Sequence, residues 1–201
     1  MIPGILFEDN HLIVVNKPFG MPSQGDETGD QNVFDWVKDY IRDTYNKPGN
    51  VYAALLHRLD RPTGGILALA KTSKAAARIS KDFQARKVHK TYYAITEQVP
   101  EVASGTLEHY MRRLEGKNIM RAYDKQVHSS KIARLHYRVL REKGGRALIE
   151  VKPETGRKHQ IRVQLSTIRC TIVGDVKYGK TELILTNPFA FLPGNFLFNI
   201  Q

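Results

Sequence analysis

The chain has one cysteine, Cys170, in 201 residues, which excludes an intrachain disulfide and a zinc site built from a cysteine cluster. Cys170 lies between Ile168 and Ile172, where it reads as a small buried apolar side chain rather than a nucleophile. The seven histidines include no His-x-x-x-His pair with a companion Glu, so no metal is expected. No apolar run approaches the length needed to span a membrane, and Met1-Ile2-Pro3 lacks the basic start and apolar core of a signal peptide. A soluble, cytoplasmic protein is the expectation. Internal repeats and low-complexity linkers are absent as well.

Acidic residues are in short supply. Twenty Asp and Glu stand against thirty-one Lys and Arg, a net charge of +11 that favours a polyanionic partner. Nucleic acid fits better than a membrane surface. Residues 107–131 concentrate the excess: Arg112, Arg113, Lys117, Arg121, Lys125 and Lys131 outnumber Glu115 and Asp124, with Tyr110 and Tyr123 interleaved. That mixture suits phosphate neutralisation with base stacking, and its place in the chain suggests a flap over a cleft.

Periodicity gives the layout. Ile5 to Glu8 and Leu12 to Asn16 read as strands around the Asp9-Asn10 turn. Asp30 is placed to cap a helix whose Val33, Phe34, Val37, Tyr40 and Ile41 share one face, until Pro48-Gly49 stops it. Ile66 to Ala70 reads as a strand, Thr72 or Ser73 as the cap of a second helix, and Val88 to Val99 as strand again. Leu135, Tyr137 and Val139 alternate with basic residues before the Lys143-Gly144-Gly145 turn, and Ala147 to Val151 returns as the second arm. Ile161, Leu165 and Ile168 mark a short helix. The pattern predicts an α+β domain, a single unit or a tight two-lobed one, with a largely antiparallel sheet.

The run Leu56 to Thr72, LHRLDRPTGGILALAKT, sets one carboxylate, Asp60, in a basic turn between two apolar runs. Arg58 and Arg61 flank it, and nearby cations favour the ionised form, which serves a nucleophile or a base. An Asp before such a turn also commonly bonds local backbone amides and does nothing more.

Four ordered blocks give this turn a sharper meaning. ILFEDNHLIVVNKPFGMP (5–22), the Asp60 segment, RKVHKTYYA (86–94) and ETGRKHQIRVQLSTIRCTIVGDVKYG (154–179) together resemble the pseudouridine synthases, in the branch typified by the bacterial ribosomal large-subunit enzyme A. The resemblance implies that family's catalytic fold, a largely antiparallel mixed sheet with flanking helices and a central RNA-binding cleft. It implies a reaction without cofactor or metal, on uridine in structured ribosomal or transfer RNA. Asp60 matches the catalytic carboxylate, Tyr92 the active-site aromatic, and Arg162 the basic partner of the Asp. Arg58 matches the arginine associated with displacing the target base. His57, Thr63, Lys90, Arg157, His159 and Gln160 are the expected substrate-binding residues, His57 mainly supporting the loop.

Two departures stand out. Gly64 occupies a position where the family usually has Ser, and residues 180–201 end in an apolar segment, with Phe189, Phe191, Phe196 and Phe198, unlike the family's ending. The direct entry into the opening hairpin gives the expectation that the upstream small RNA-binding domain of longer relatives is lacking. A site assembled within one chain makes a monomer the expected state. The competing expectation is an RNA-binding or ribosome-assembly protein that keeps the fold without the activity.

Overall fold

The computed structural model describes residues 2–179, and the apolar segment 180–201 with its four phenylalanines lies outside the described residues. The described chain divides into two compact units, residues 2–88 and 89–179. Both are α+β, and every strand pairing is antiparallel.

The first unit holds β1 (Gly4–Glu8), β2 (Leu12–Lys17), α1 (Val33–Thr44), β3 (Ala54–Leu55), β4 (Gly65–Ala70) and α2 (Ser73–Gln84), its sheet ordered β1-β2-β4-β3. Asp9 closes the first hairpin by accepting from the amides of His11 and Leu12, 2.7 and 2.6 Å. In β2 alternate residues Ile13, Val15 and Lys17 are buried, and Val33, Val37 and Ile41 of α1 are the helix's buried stripe, as a 3.6-residue period requires. The cap of α1 is Asn32 rather than Asp30. Asn32 is extended and its side chain accepts from the Asp35 amide, whereas Asp30, two residues earlier, faces Arg61. Thr72 caps α2 through the Ala75 amide.

The second unit holds β5 (Tyr92–Thr96), β6 (Ser104–Arg113), β7 (Met120–Tyr123), β8 (Lys131–Lys143), β9 (Arg146–Pro153) and α3 (Gln160–Thr167), with sheet order β5-β9-β8-β6-β7. Gly144 and Gly145, both at positive φ, form the two-residue turn between β8 and β9. β5 is shorter than the expected strand over 88–99. Tyr92 pairs with Val151, so continuing the ladder two residues back would set Lys90 against Pro153, which has no amide to donate. The core gathers Ala94, Leu107, Leu135, Tyr137, Ala147, Ile149, Val151 and Leu165. Gln164, fully buried on α3, donates to the carbonyls of Leu107 and Ala133 at 3.1 Å, stitching the helix to β6 and β8. Cys170 is buried, as its apolar neighbours imply.

Candidate active site

In the first unit the chain from His57 to Gly65 is pinned on both sides of Asp60. Upstream, the buried Ser23 hydroxyl donates to Leu59 O (2.8 Å) and accepts from Leu59 N (3.1 Å). Downstream, Arg61 O accepts from Gly20 N (2.9 Å) and from the Lys17 ammonium (3.2 Å). The turn itself is closed by the main chain, Thr63 N donating to Asp60 O at 2.9 Å. Anchors at residues 59 and 61 leave the intervening backbone little freedom, a condition a reacting group needs if it is to be aimed before substrate arrives.

Lys17 is the residue that sequence reasoning missed. Its side chain is 1% exposed, and its ammonium donates to Pro18 O (3.0 Å), Met21 O (2.5 Å) and Arg61 O (3.2 Å). Burial pulls its pKa down to about 8, with the Asp60 carboxylate pulling upward and Arg61 downward. A lysine directly before Pro-x-Gly reads as a solvated turn residue. The available signal was its position on the inward side of β2, in phase with Ile13 and Val15.

Arg61 does not serve Asp60 as the flanking cation that composition suggests. Its guanidinium is taken by a loop from α1's approach: Asp30 at 2.6 Å, Asp26 at 2.9 Å and the Thr28 hydroxyl at 2.6 Å. The Thr28 hydroxyl and then Arg61 hold Asp26 down to about 2, and Arg61 followed by Thr28 lowers Asp30. Lys17 is the cation that the first unit sets within electrostatic reach of Asp60.

His57 accepts from Ala68 N through Nε2 (3.2 Å), which places its ring proton on Nδ1, and stacks on Phe83 with ring centroids 5.5 Å apart. Those contacts suit the expected support of the loop. Arg58 is exposed and Thr63 half-buried. Gly64 has a steric reason: a Cβ there would lie 2.8 to 2.9 Å from three carbons of the Phe19 ring, so the ring covers the turn only because the side chain is missing.

The remaining predicted residues belong to the second unit. Tyr92 packs half-buried on the core cluster, in phase with Ala94 and opposite to Tyr93. Lys90 is half-buried, and burial lowers its pKa; its ammonium lies 3.5 Å from where a Cβ on Gly156 would stand. Arg162 forks onto Asp175, Nε to Oδ2 at 2.8 Å and Nη2 to Oδ1 at 2.7 Å, and lies 5.2 Å from the Tyr178 ring centroid. Burial alone would raise the pKa of Asp175, but Arg162 and the amides of Lys177 and Tyr178 more than offset it and hold the carboxyl low. Asp175 belongs to the GDVKYG block, so its motif was visible although its partner was not.

His159 heads α3 in a left-handed conformation, φ 54°, with Nδ1 2.6 Å from the Tyr178 hydroxyl. Arg157 is half-buried and donates from Nε to Ile132 O at 2.9 Å. Gln160 is engaged by hydrogen bonds within the second unit. It is 4% exposed, accepting from Arg157 N and the Thr155 hydroxyl and donating to Arg134 O. Among the described residues no group of His, Cys, Asp and Glu is arranged to hold a metal ion, and no helix is long and apolar enough to cross a membrane.

Among solved structures, Human RNA Pseudouridylate Synthase Domain Containing 4 superimposes with a TM-score of 0.74 at 32% identity, over 89% of this chain and 70% of that one. Human RNA Pseudouridylate Synthase Domain Containing 1 gives 0.73 at 25% identity, over 89% and 70%. The fold is that of the pseudouridylate synthase catalytic domain. A family model for RNA pseudouridylate synthase matches residues 11–167, and on that match the chain belongs to the RNA pseudouridylate synthase family.

Curated relatives agree. "Ribosomal large subunit pseudouridine synthase C" of Rickettsia typhi is 31% identical over 192 residues, 95% of this chain and 61% of that protein. "Ribosomal large subunit pseudouridine synthase D" of Pseudomonas aeruginosa is 35% identical over 178 residues, 87% of this chain and 53% of that protein. The chain thus spans between half and two thirds of the length of these relatives.

Proposed function

We propose that this chain isomerises uridine to pseudouridine in structured RNA, with Asp60 as the catalytic carboxylate, in the branch typified by the large-subunit enzyme A. The observation that carries the reading is the turn pinned at Leu59 and Arg61, which presents one carboxylate at the position the family motif assigns to catalysis. The names of the relatives favour ribosomal RNA of the large subunit as substrate.

The reaction breaks the bond between ribose C1′ and uracil N1, turns the base, and joins C1′ to C5. The proton on C5 leaves and N1 gains one, so the change is an isomerisation without net oxidation. Asp60 supplies the anion beside the sugar. Tyr92 offers a ring for the detached base and a hydroxyl to assist proton removal from C5. Arg162 acts as the basic partner of the carboxylate. Arg58, exposed and next but one to Asp60, fills the gap when the nucleotide leaves its stack, a step costing a few kcal/mol in the absence of compensating contacts. Lys90, Thr63, Arg157 and His159 hold the flanking backbone.

The test is tritium release from RNA labelled at uridine C5, with the native protein and Asp60→Asn compared on unmodified large-subunit ribosomal RNA. Release by the native protein alone supports the assignment. Equal release from both removes Asp60 from the mechanism, and binding without release returns the chain to an RNA-binding role.

A further inference from the structure

The outward face of the second unit's sheet is charge-balanced over much of its area. Glu108 pairs with Arg134, Glu154 receives Arg134 and His136, and Glu150 receives Arg138 and Lys152. The balance stops at the β6–β7 hairpin. There Arg112 and Arg121 are direct cross-strand partners, two pairs along the ladder from Tyr110 and Tyr123, and neither guanidinium forms an ion pair among the described residues.

Like charges set opposite one another on a sheet are destabilising. A single charged residue would be enough to discourage pairing at an edge strand such as β7, so the second arginine needs another explanation. Both guanidinium carbons lie over the same ring, 5.8 Å and 5.5 Å from the centroid of Tyr123. Contact with an aromatic ring steadies a guanidinium and leaves its N–H edge to bind an anion. Two such edges, carried by directly opposed residues of neighbouring strands, suit the oxygens of a phosphodiester.

The hairpin is rooted beside residues of the candidate site. Met120 N donates to the Tyr178 hydroxyl (2.9 Å), which also meets His159 Nδ1 (2.6 Å), and the Lys177 ammonium donates to Asn118 O (3.0 Å). The same turn carries Asp175, which holds Arg162.

We propose that Arg112 and Arg121, steadied by Tyr123, form a clamp for a backbone phosphate of the RNA substrate. The inference rests on the RNA-directed function proposed above. The clamp reads no base, so its contribution is to affinity and register, and it is sensitive to salt.

The experiment measures binding of in-vitro transcribed large-subunit ribosomal RNA from 50 to 200 mM salt by the full chain. Arg112→Gln, Arg121→Gln and the double variant are compared with Arg138→Gln, which removes the same charge from the balanced part of the sheet. Each clamp substitution lowers the steepness of log affinity against log salt by about 1, and the double variant by about 2. Arg138→Gln moves it by less than half as much. Thermal stability of the single clamp variants is equal to that of the native protein or higher, because a repulsion is relieved. Unchanged slopes in the clamp variants, an equal change in Arg138→Gln, or absence of salt-sensitive RNA binding by the native protein would each overturn the clamp. Tritium release is read in parallel: altered slopes with no release by the native protein refute the isomerase reading while leaving the clamp standing, and release with unaltered slopes does the reverse.

Discussion

Replacing Lys17 by Met keeps a long flexible side chain of similar volume but removes the ammonium from beneath the Asp60 turn. The carbonyls of Pro18 and Met21 lose their donor, and the Arg61 carbonyl keeps only the one from Gly20 N. Hydrogen bonds from a charged donor are worth roughly 1.5–3 kcal/mol each. Against this stands the relieved burial of a charge. The drop in pKa from 10.5 to about 8 corresponds to a burial cost on the order of 3 kcal/mol. The net expectation is a loss of about 3 kcal/mol, large beside a total stability on the order of 5–15 kcal/mol. Trp36, the single tryptophan, sits in α1, so urea unfolding followed by its fluorescence reports on the first unit. Activity falls further than stability alone explains, because losing one of the two bonds to the Arg61 carbonyl loosens the residue next to Asp60, and misplacement by about 1 Å costs roughly 100-fold in rate. The pH dependence has a definite sign. With its folded pKa below its unfolded value, Lys17 makes stability rise with pH between about 8 and 10.5, and Lys17→Met removes that rise. A variant within about 0.5 kcal/mol of the native protein, with unchanged tritium release, would refute the argument.

Gly64→Ser forces the exposed Phe19 ring off the turn and costs about 1 kcal/mol or less, whereas Phe19→Ala combined with Gly64→Ser costs less than the two changes added; additive urea midpoints would contradict the steric account. Asp175→Asn removes the buried carboxylate charge onto which Arg162 forks and destabilises the second unit by about 3 kcal/mol, measured by hydrogen exchange in β8 and α3. Since the folded pKa of Asp175 is depressed, the native second unit should lose stability as pH falls below the ordinary carboxylate value and through the lowered one. The Asn variant shows no such acid dependence from this position. Gln160→Leu loosens the start of α3 by removing bonds to Thr155, Arg157 and Arg134, and is expected to lower the melting temperature without changing the salt dependence of RNA binding.

The sequence alone determined a good deal. Alternation and helical spacing located the hairpin turns at Asp9 and Gly144-Gly145 and the buried stripe of α1, and narrowed the cap of α2 to Thr72 or Ser73, because those features depend on residues close together in the chain. The same local legibility brought out Asp60 and the block containing Asp175. What tertiary structure decided were the partners of charged groups. Arg61 adjoins Asp60 in sequence yet gives its guanidinium to Asp26 and Asp30, more than thirty positions earlier. Lys17 reaches the Arg61 carbonyl forty-four positions away, and Arg162 takes Asp175. Sequence neighbours within a turn point their side chains in different directions, while a buried ion must find its counter-charge or carbonyls wherever the fold brings them. Periodicity records which side of an element is buried. It does not record what waits on the other side of the sheet, and that is where the support of the Asp60 turn was settled.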